Sequence, residues 1–290
     1  MTKRFKVVGI GEVLWDMLPQ GKVLGGAPAN FAFHSGQLGA EGHVISAIGN
    51  DELGNEIVKS LSEYDLNLHL QKVGYPTSTV KVTLDENGVP NYEICENVAW
   101  DYLELKQEDK LLAVKTDAVC FGSLAMRNKP SKNAIMEFVK SVPSSALKVF
   151  DINLRQHFYT KELIEESLQL SNVLKINDDE LKIVENLFGY SGSEEEVCQA
   201  ILKDYNLHYV VLTKGANGSV VVSPEITSSL ATPQVQVVDT VGAGDSFTAA
   251  FVTAILQNKP LAEAHRRAVE LATFVCTKNG AMPILEKLSF

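Results

Sequence analysis

An acid set directly after two glycines, at the start of a helix, is the part of this sequence best suited to chemistry. The stretch is Asp239-Thr240-Val241-Gly242-Ala243-Gly244-Asp245-Ser246-Phe247. An apolar, strand-like run from Val235 to Val238 leads into it. A run of small and apolar residues from Phe247 to Leu256 leaves it with helical character. The glycines allow positive φ and close approach of a ligand to the main chain. Unpaired N–H groups at the helix start make an anion site. The amides of Gly242, Ala243 and Gly244 would therefore face the charge developing on a transferred phosphoryl group, and Asp245 beside them would take the proton of an attacking hydroxyl. With an ordinary carboxylate pKa, Asp245 would be ionised at neutral pH and weakly basic, acting by late proton transfer and by orienting the nucleophile. The plain alternative is a tight strand-to-helix turn with Asp245 as a cap.

Other residues could complete such a site. Asp151, Asn153 and Arg155 alternate along a strand-like run, so one face would carry all three to its C-terminal end. Arg155 could fork onto phosphate oxygens, or simply pair with Asp151 at the surface. Asn177 and Glu180 have the spacing of a capping box at the start of the next helix. Asp16, Gly26 and Asn30 offer short polar groups and exposed amides suited to a ligand bearing hydroxyl groups. Asp16 could equally be a turn residue, and Asn30 could merely satisfy backbone groups. Thr213, Gly215 and Gly218 lie in a tight loop after a strand, where Lys214 offers a mobile cation and Asn217-Gly218 favours a plain hairpin. Asn279, Gly280 and Ala281 end the last helix with a glycine suited to a C-cap. Asp239 is expected to be buried beside apolar residues. The six histidines form no metal-like cluster in the sequence, and the phosphate loop ending Gly-Lys-Ser/Thr is absent.

The chain has 290 residues, enough to bury a large core. Its 36 Asp and Glu against 26 Lys and Arg give a net charge of −10, which argues against general binding to nucleic acid or anionic membranes. Cys95, Cys120, Cys198 and Cys276 are scattered without metal spacing and read as reduced thiols. No secretory leader or membrane span is expected, and the protein is expected to be cytoplasmic. Gly9-Ile10-Gly11 lacks the third glycine of a dinucleotide fingerprint and runs into extended sequence, Val13 to Trp15. Beyond residue 105, strands at 118–121, 148–152, 173–176 and 209–213 alternate with helices at 131–141, 161–170, 179–187 and 194–205. That alternation implies a parallel sheet with helices on both faces. The hairpin-rich stretches at about 12–24 and 75–100 break the pattern, with Asp85-Glu86-Asn87-Gly88 as a turn signal, and would form a small separate sheet over one edge.

These motifs resemble those of the ribokinase-like sugar kinases. The Asp239–Asp245 stretch looks like that family's C-terminal signature, and Gly25-Gly26-Ala27-Pro28-Ala29-Asn30 looks like its N-terminal one. Asp151-Ile152-Asn153-Leu154-Arg155, Asn177-Asp178-Asp179-Glu180 and Thr213 to Gly218 match between them, in order, over nearly the whole chain. The Asp-x-Asn-x-Arg element and Glu96-Asn97-Val98-Ala99-Trp100-Asp101 look most like the fructokinase branch. The resemblance implies one three-layer α/β/α domain over residues 1–290, with a mostly parallel central sheet and a small β-sheet lid. It implies ATP and Mg²⁺, with Glu180 and Asn177 organising the metal through waters, and K⁺ beside a loop shaped by Asp239. Sugar contacts would come from Asp16, Gly26, Asn30, Trp100, Asn153, Arg155 and Asp245. The nucleotide would meet Asn177, Thr213, Lys214, Gly215, Gly218, Gly242, Gly244 and Asn279. The lid would exclude water and join a second subunit as a homodimer. The best substrate on this reading is D-fructose, giving fructose 6-phosphate. Ribose, 2-keto-3-deoxygluconate or a nucleoside are the rivals within the family, and a sugar or nucleotide sensor without turnover is the rival outside it.

Overall fold

The computed structural model describes residues 4–18, 21–84 and 90–285. Its centre is a nine-stranded sheet whose spatial order is β13-β12-β11-β10-β9-β8-β1-β4-β5. In chain order these strands are β1 (Lys6–Ile10), β4 (Glu41–Gly49), β5 (Leu66–Val73), β8 (Ala118–Phe121), β9 (Leu147–Asp151), β10 (Val173–Asn177), β11 (Tyr209–Thr213), β12 (Ser219–Val222) and β13 (Thr227–Leu230). The strands from β5 to β11 pair in parallel, and β12 and β13 add an antiparallel edge.

Alternation along the buried strands assigns each face its helices. On β1, Val8 and Ile10 enter one core, which also holds residues of α3 (Gln107–Ala113), α4 (Lys129–Ser141), α5 (Lys161–Leu170), α6 (Asp178–Phe188) and α7 (Glu194–Asp204). Val7 enters the other, with residues of α1 (Ala27–Gln37), α8 (Ala243–Leu256) and α9 (Leu261–Cys276). A third cluster packs α2 (Glu52–Leu61) and α1 over β4. The result is the three-layer α/β/α arrangement expected from the alternation. Gly9 is what lets α1 lie flat on β1. A Cβ there would stand 1.9 Å from the Pro28 carbonyl oxygen.

A second, four-stranded sheet has the order β3-β2-β6-β7, from β2 (Leu14–Leu18), β3 (Gly21–Gly25), β6 (Thr79–Leu84) and β7 (Pro90–Ile94). Its strands fall in the two stretches that break the sequence alternation. It is mainly antiparallel, with β2 parallel to β6. The turn expected at Asp85 to Gly88 lies outside the described residues. Arg127 fixes this sheet to the body. Its guanidinium takes both oxygens of Asp101 at 2.8 Å, donates to the Cys95 carbonyl just beyond β7, and lies 4.1 Å from the Trp100 ring centroid.

Some expectations fail. Val235 to Val238 forms no strand; it runs as irregular, exposed chain, its backbone bonding only to the end of α9 through Val238 N–H and the Cys276 carbonyl. Strand β5 and helix α3 are not among the expected elements, although Leu66, Leu68 and Leu70 of β5 alternate with polar residues and pack on the third cluster. Helix α9 ends at Cys276, so Gly280 is not its C-cap.

The Asp101–Arg127 pair is almost fully buried, with side chains 1% and 5% exposed. Replacing Arg127 by Met should leave Asp101 an uncompensated buried charge and cost about 3–5 kcal/mol of unfolding free energy, measured by urea titration.

Candidate active site

The sheet reverses its winding at β1, whose neighbours β4 and β8 are followed outward in opposite directions. Crevices at the C-terminal ends of strands gather ligands at such a point. The loops and helix starts that follow β1, β9 and β10 carry Glu12, Asn153, Arg155 and Glu180 to that end of the sheet, and the first turn of α8 completes the site.

Gly242 starts α8 in the left-handed region, with φ of 76°, and a Cβ on it would come within 2.8 Å of Ala281. Only glycine satisfies both conditions. Of the three expected amide donors, Ala243 N–H is directed at the Thr240 carbonyl at 3.3 Å. Among the described residues the Gly242, Gly244 and Asp245 amides find no protein acceptor. Ala243 therefore drops out as a free donor, and Asp245 itself supplies the replacement.

Asp245 is joined to Asn30 across 215 positions of sequence, Asn30 Nδ2 donating to its Oδ2 at 2.7 Å. Its carboxyl is not ordinary. Burial, then the neighbouring Asp151 charge, push its pKa up to about 6 against the pull of Asn30, Lys175 and Arg155. Asp245 is thus a stronger base than the sequence implied. Asn30 is buried, and its Oδ1 has no protein donor.

Two participants carried no motif. Glu12, just past β1, is 2% exposed and its Oε2 has no hydrogen-bond partner. Burial raises its pKa to about 7, with the Asp245 charge adding to the effect. Lys175, in the middle of β10, points its Nζ to within 3.2 Å of where a Gly244 Cβ would stand, directly under the first turn of α8. It is held 3.5 Å from Asp151 Oδ1. Burial works against its charge, but Asp151, Glu180 and Asp245 outweigh that and raise its pKa. The only signal in the sequence is a lone charge inside the apolar run Val173 to Ile176.

The Asp151, Asn153, Arg155 face does not exist as expected. Strand β9 stops at Asp151, Asn153 turns into the left-handed region with φ of 44°, and Arg155 is exposed beyond it. Asp151 pairs with Lys175 and accepts from Thr248 at 3.2 Å, rather than pairing with Arg155. Arg155 still lies close enough for its charge to lower the pKa of both Glu12 and Asp245.

Asn177 and Glu180 form a full capping box, Glu180 N–H donating to Asn177 Oδ1 at 2.8 Å and Asn177 N–H to Glu180 Oε2 at 2.9 Å. Glu180 Oε1 accepts from Leu154 N–H at 3.0 Å, so this carboxylate also ties the Arg155 loop to α6. Each oxygen spends one lone pair on the backbone and keeps capacity for a water. Asp16, on β2, is half-buried, with Oδ2 lying over Gly25, and burial raises its pKa. Gly26 is wedged against the Glu12 carbonyl, and its φ is 127°. Trp100 is fully buried and covered by Arg127, in the core rather than on an open face.

A cavity of about 670 Å³ opens from the first turn of α8. Thr213, Gly215, Gly218 and Gly244 line it, with Val237 and Cys276 on an apolar wall. Two of the exposed valines before Asp239, Val235 and Val237, line this slot. Lys214, Asn177 and Asn279 are not among its lining residues. Lys214 is not a mobile cation, since it pairs with Glu194 at 3.1 Å. Asp239 is half-buried rather than buried. Its oxygens accept from Val241 N–H at 3.0 Å and Gly280 N–H at 3.1 Å, pinning the loop before α8 to the loop after α9.

The model of the pfkB family carbohydrate kinases matches residues 19–288. The chain belongs to this family. It is therefore an enzyme, a sugar kinase with the ribokinase-like fold. The fructokinase of Escherichia coli is 27% identical over 307 residues, covering 97% of this chain and 96% of that protein. The ATP-dependent 6-phosphofructokinase of Thermoanaerobacterium thermosaccharolyticum is 28% identical over 277 residues, covering 89% and 84%. An uncharacterized sugar kinase of Pyrococcus horikoshii, crystallised in complex with ATP, superposes with a TM-score of 0.80 at 26% identity, over 96% of this chain and 94% of that one.

The raised pKa of Asp245 gives a testable expectation. With Asp245 as the proposed base, kcat/KM should rise as pH increases through about 6 and level off above 7, because only the ionised carboxylate accepts a proton.

Proposed function

We propose that this sugar kinase transfers the γ-phosphoryl group of ATP to D-fructose, yielding fructose 6-phosphate and ADP. The observation that carries the reading is the meeting of Asp245, Asn30 and the free amides of the first turn of α8, at the mouth of a nucleotide-sized cavity. Asp245 takes the proton as the sugar oxygen bonds to phosphorus and the bond to the leaving ADP oxygen breaks. The amides of Gly242, Gly244 and Asp245, with the Lys175 ammonium beneath them, stabilise the charge on the moving phosphoryl group. Arg155, on the rim, adds a cation. Sugar hydroxyls would satisfy Asp16, Asn30 Oδ1 and the Gly26 backbone, with Asn153 beside them. Adenosine would fill the slot between the Thr213–Gly218 loop and α9.

Mg²⁺ supplies charge neutralisation on the phosphates. Glu180 and Asn177 suit a role through bound waters, because Glu180 has lone pairs left after its two backbone bonds. K⁺ beside the loop closed by Asp239 belongs to the same reading. So does closure of the four-stranded sheet over the sugar, and a homodimer through that sheet. Two-chain mass in light scattering at micromolar concentration is the expected result.

The substrate is tested by an ADP-release assay over fructose, ribose, 2-keto-3-deoxygluconate, adenosine and fructose 6-phosphate. Fructose should give the highest kcat/KM, and a higher value for any other would overturn the choice. Fructose 6-phosphate belongs in the panel because of the phosphofructokinase relative. Asp245→Asn keeps the size and capping ability of the side chain but cannot take the proton. Its kcat should fall about 10²–10⁴-fold while calorimetric affinities for fructose and a non-hydrolysable ATP analogue stay within a few-fold.

A further inference from the structure

Histidines that the sequence keeps apart meet on the outer edge of the sheet. The expectation that no histidine joins a metal-like cluster fails here, because the parallel register of β4 and β5 sets His43 beside His69. A chain of contacts runs across three strands to helix α3. Lys6 pairs with Glu41 at 2.5 Å, and Glu41 Oε1 lies 3.1 Å from His43 Nε2. His43 Nδ1 lies 3.2 Å from His69 Nε2, and His69 Nδ1 lies 3.1 Å from Asp109 Oδ1. Glu108 completes the group: one ligand atom each from His69, Glu108 and Asp109 lie within 4.8 Å of one another.

Hydrogen bonding along this chain leaves an orphaned oxygen at its end. Glu41 is an acceptor, so His43 Nε2 carries hydrogen, and a neutral His43 presents a lone pair at Nδ1. His69 turns Nε2 toward that lone pair and Nδ1 toward a carboxylate oxygen of Asp109. Asp109 Oδ2 already accepts from Lys106 N–H at 2.8 Å. Asp109 is 3% exposed, and its Oδ1 makes no hydrogen bond despite the imidazole nitrogen 3.1 Å away, because the two are not aligned as donor and acceptor. A buried carboxylate oxygen without a hydrogen bond, close to an imidazole nitrogen, is the arrangement of two ligand atoms around one cation.

We propose that His69 Nδ1, Asp109 Oδ1 and the Glu108 carboxylate bind a divalent transition metal ion of the zinc class, separate from the kinase site. Two ligands at about 2.1 Å from one ion stand roughly 3.0–3.4 Å apart for octahedral to tetrahedral angles, and the 3.1 Å separation falls in that range. Glu108, on an exposed side chain, reaches in by rotation, and water fills the remaining position. The imidazole favours zinc-like ions over Mg²⁺ or Ca²⁺. His43, bonded to the far nitrogen of His69, fixes its tautomer, as outer partners of metal-bound histidines do. The ion would clamp edge strand β5 to α3, which secures a strand that has no neighbour on one side.

The test is calorimetric titration of the nucleotide-free protein with ZnCl₂ in metal-stripped, Mg²⁺-free buffer, alongside thermal melting with and without Zn²⁺. The native chain should bind one equivalent and melt at a higher temperature. Glu108→Gln, at an exposed position, should weaken that binding at least tenfold, and His69→Asn should remove it, with unchanged far-UV circular dichroism in both. Fructose kinase activity with Mg²⁺ should stay within a few-fold of native in Glu108→Gln. No saturable Zn²⁺ binding by the native chain, or binding of equal strength in both variants, would overturn the proposal; the second result would move the ion to the thiols.

Discussion

A buried ammonium under a helix start is the constraint on which the rest of the site depends. Lys175 sits inside the sheet, where an unpaired charge would cost several kcal/mol. Asp151 from the neighbouring strand, Glu180 from the next helix and Asp245 from α8 make that charge tolerable. Each of the three is pinned by something else as well. Thr248 holds Asp151, two backbone amides hold Glu180, and Asn30 holds Asp245. Removing any member leaves charges unbalanced in a poorly solvated place. The network therefore fixes the height of α8 above the sheet, and with it the position of the free amides.

The same network prepares the base. An acid in this pocket feels burial and the Asp151 charge, both of which favour its proton, while Asn30, Lys175 and Arg155 favour its loss. The balance leaves the carboxyl at about 6, well above an ordinary aspartate, as the base proposed for this kinase requires. Glu12 is raised in the same way, first by burial and further by the Asp245 and Asp151 charges.

The cavity beside α8 is built on another principle. The slot is mostly apolar and rests on chain ends: the Thr213–Gly218 loop, the irregular run to Val238 and the end of α9. Asp239 keeps these ends in register by accepting one amide from each side. At the opposite edge of the sheet, polar groups form a line from Lys6 to Asp109 with no connection to phosphate chemistry. One fold thus carries two separate polar networks, of which only the one around Lys175 is wholly buried.

The sequence alone determined the layer architecture, the placement of the small sheet in two hairpin-rich stretches, and the glycine-rich start of α8. These are local properties: apolar period, glycine spacing and capping pairs such as Asn177 with Glu180 are written in neighbouring residues. It also pointed to Asn30 and Asp245 as separate candidates. Only the tertiary structure joined them, since their contact spans 215 positions. Strand alternation misled at Asp151 to Arg155, because Asn153 adopts a left-handed conformation that no period announces. Lys175 and Glu12 were hidden for a related reason. A single charge in an apolar strand reads as a surface residue until the sheet order shows it to be central. The raised pKa of Asp245, the pinned Lys214 and the His43–His69 contact all come from burial and strand register, which depend on neighbours distant in the chain.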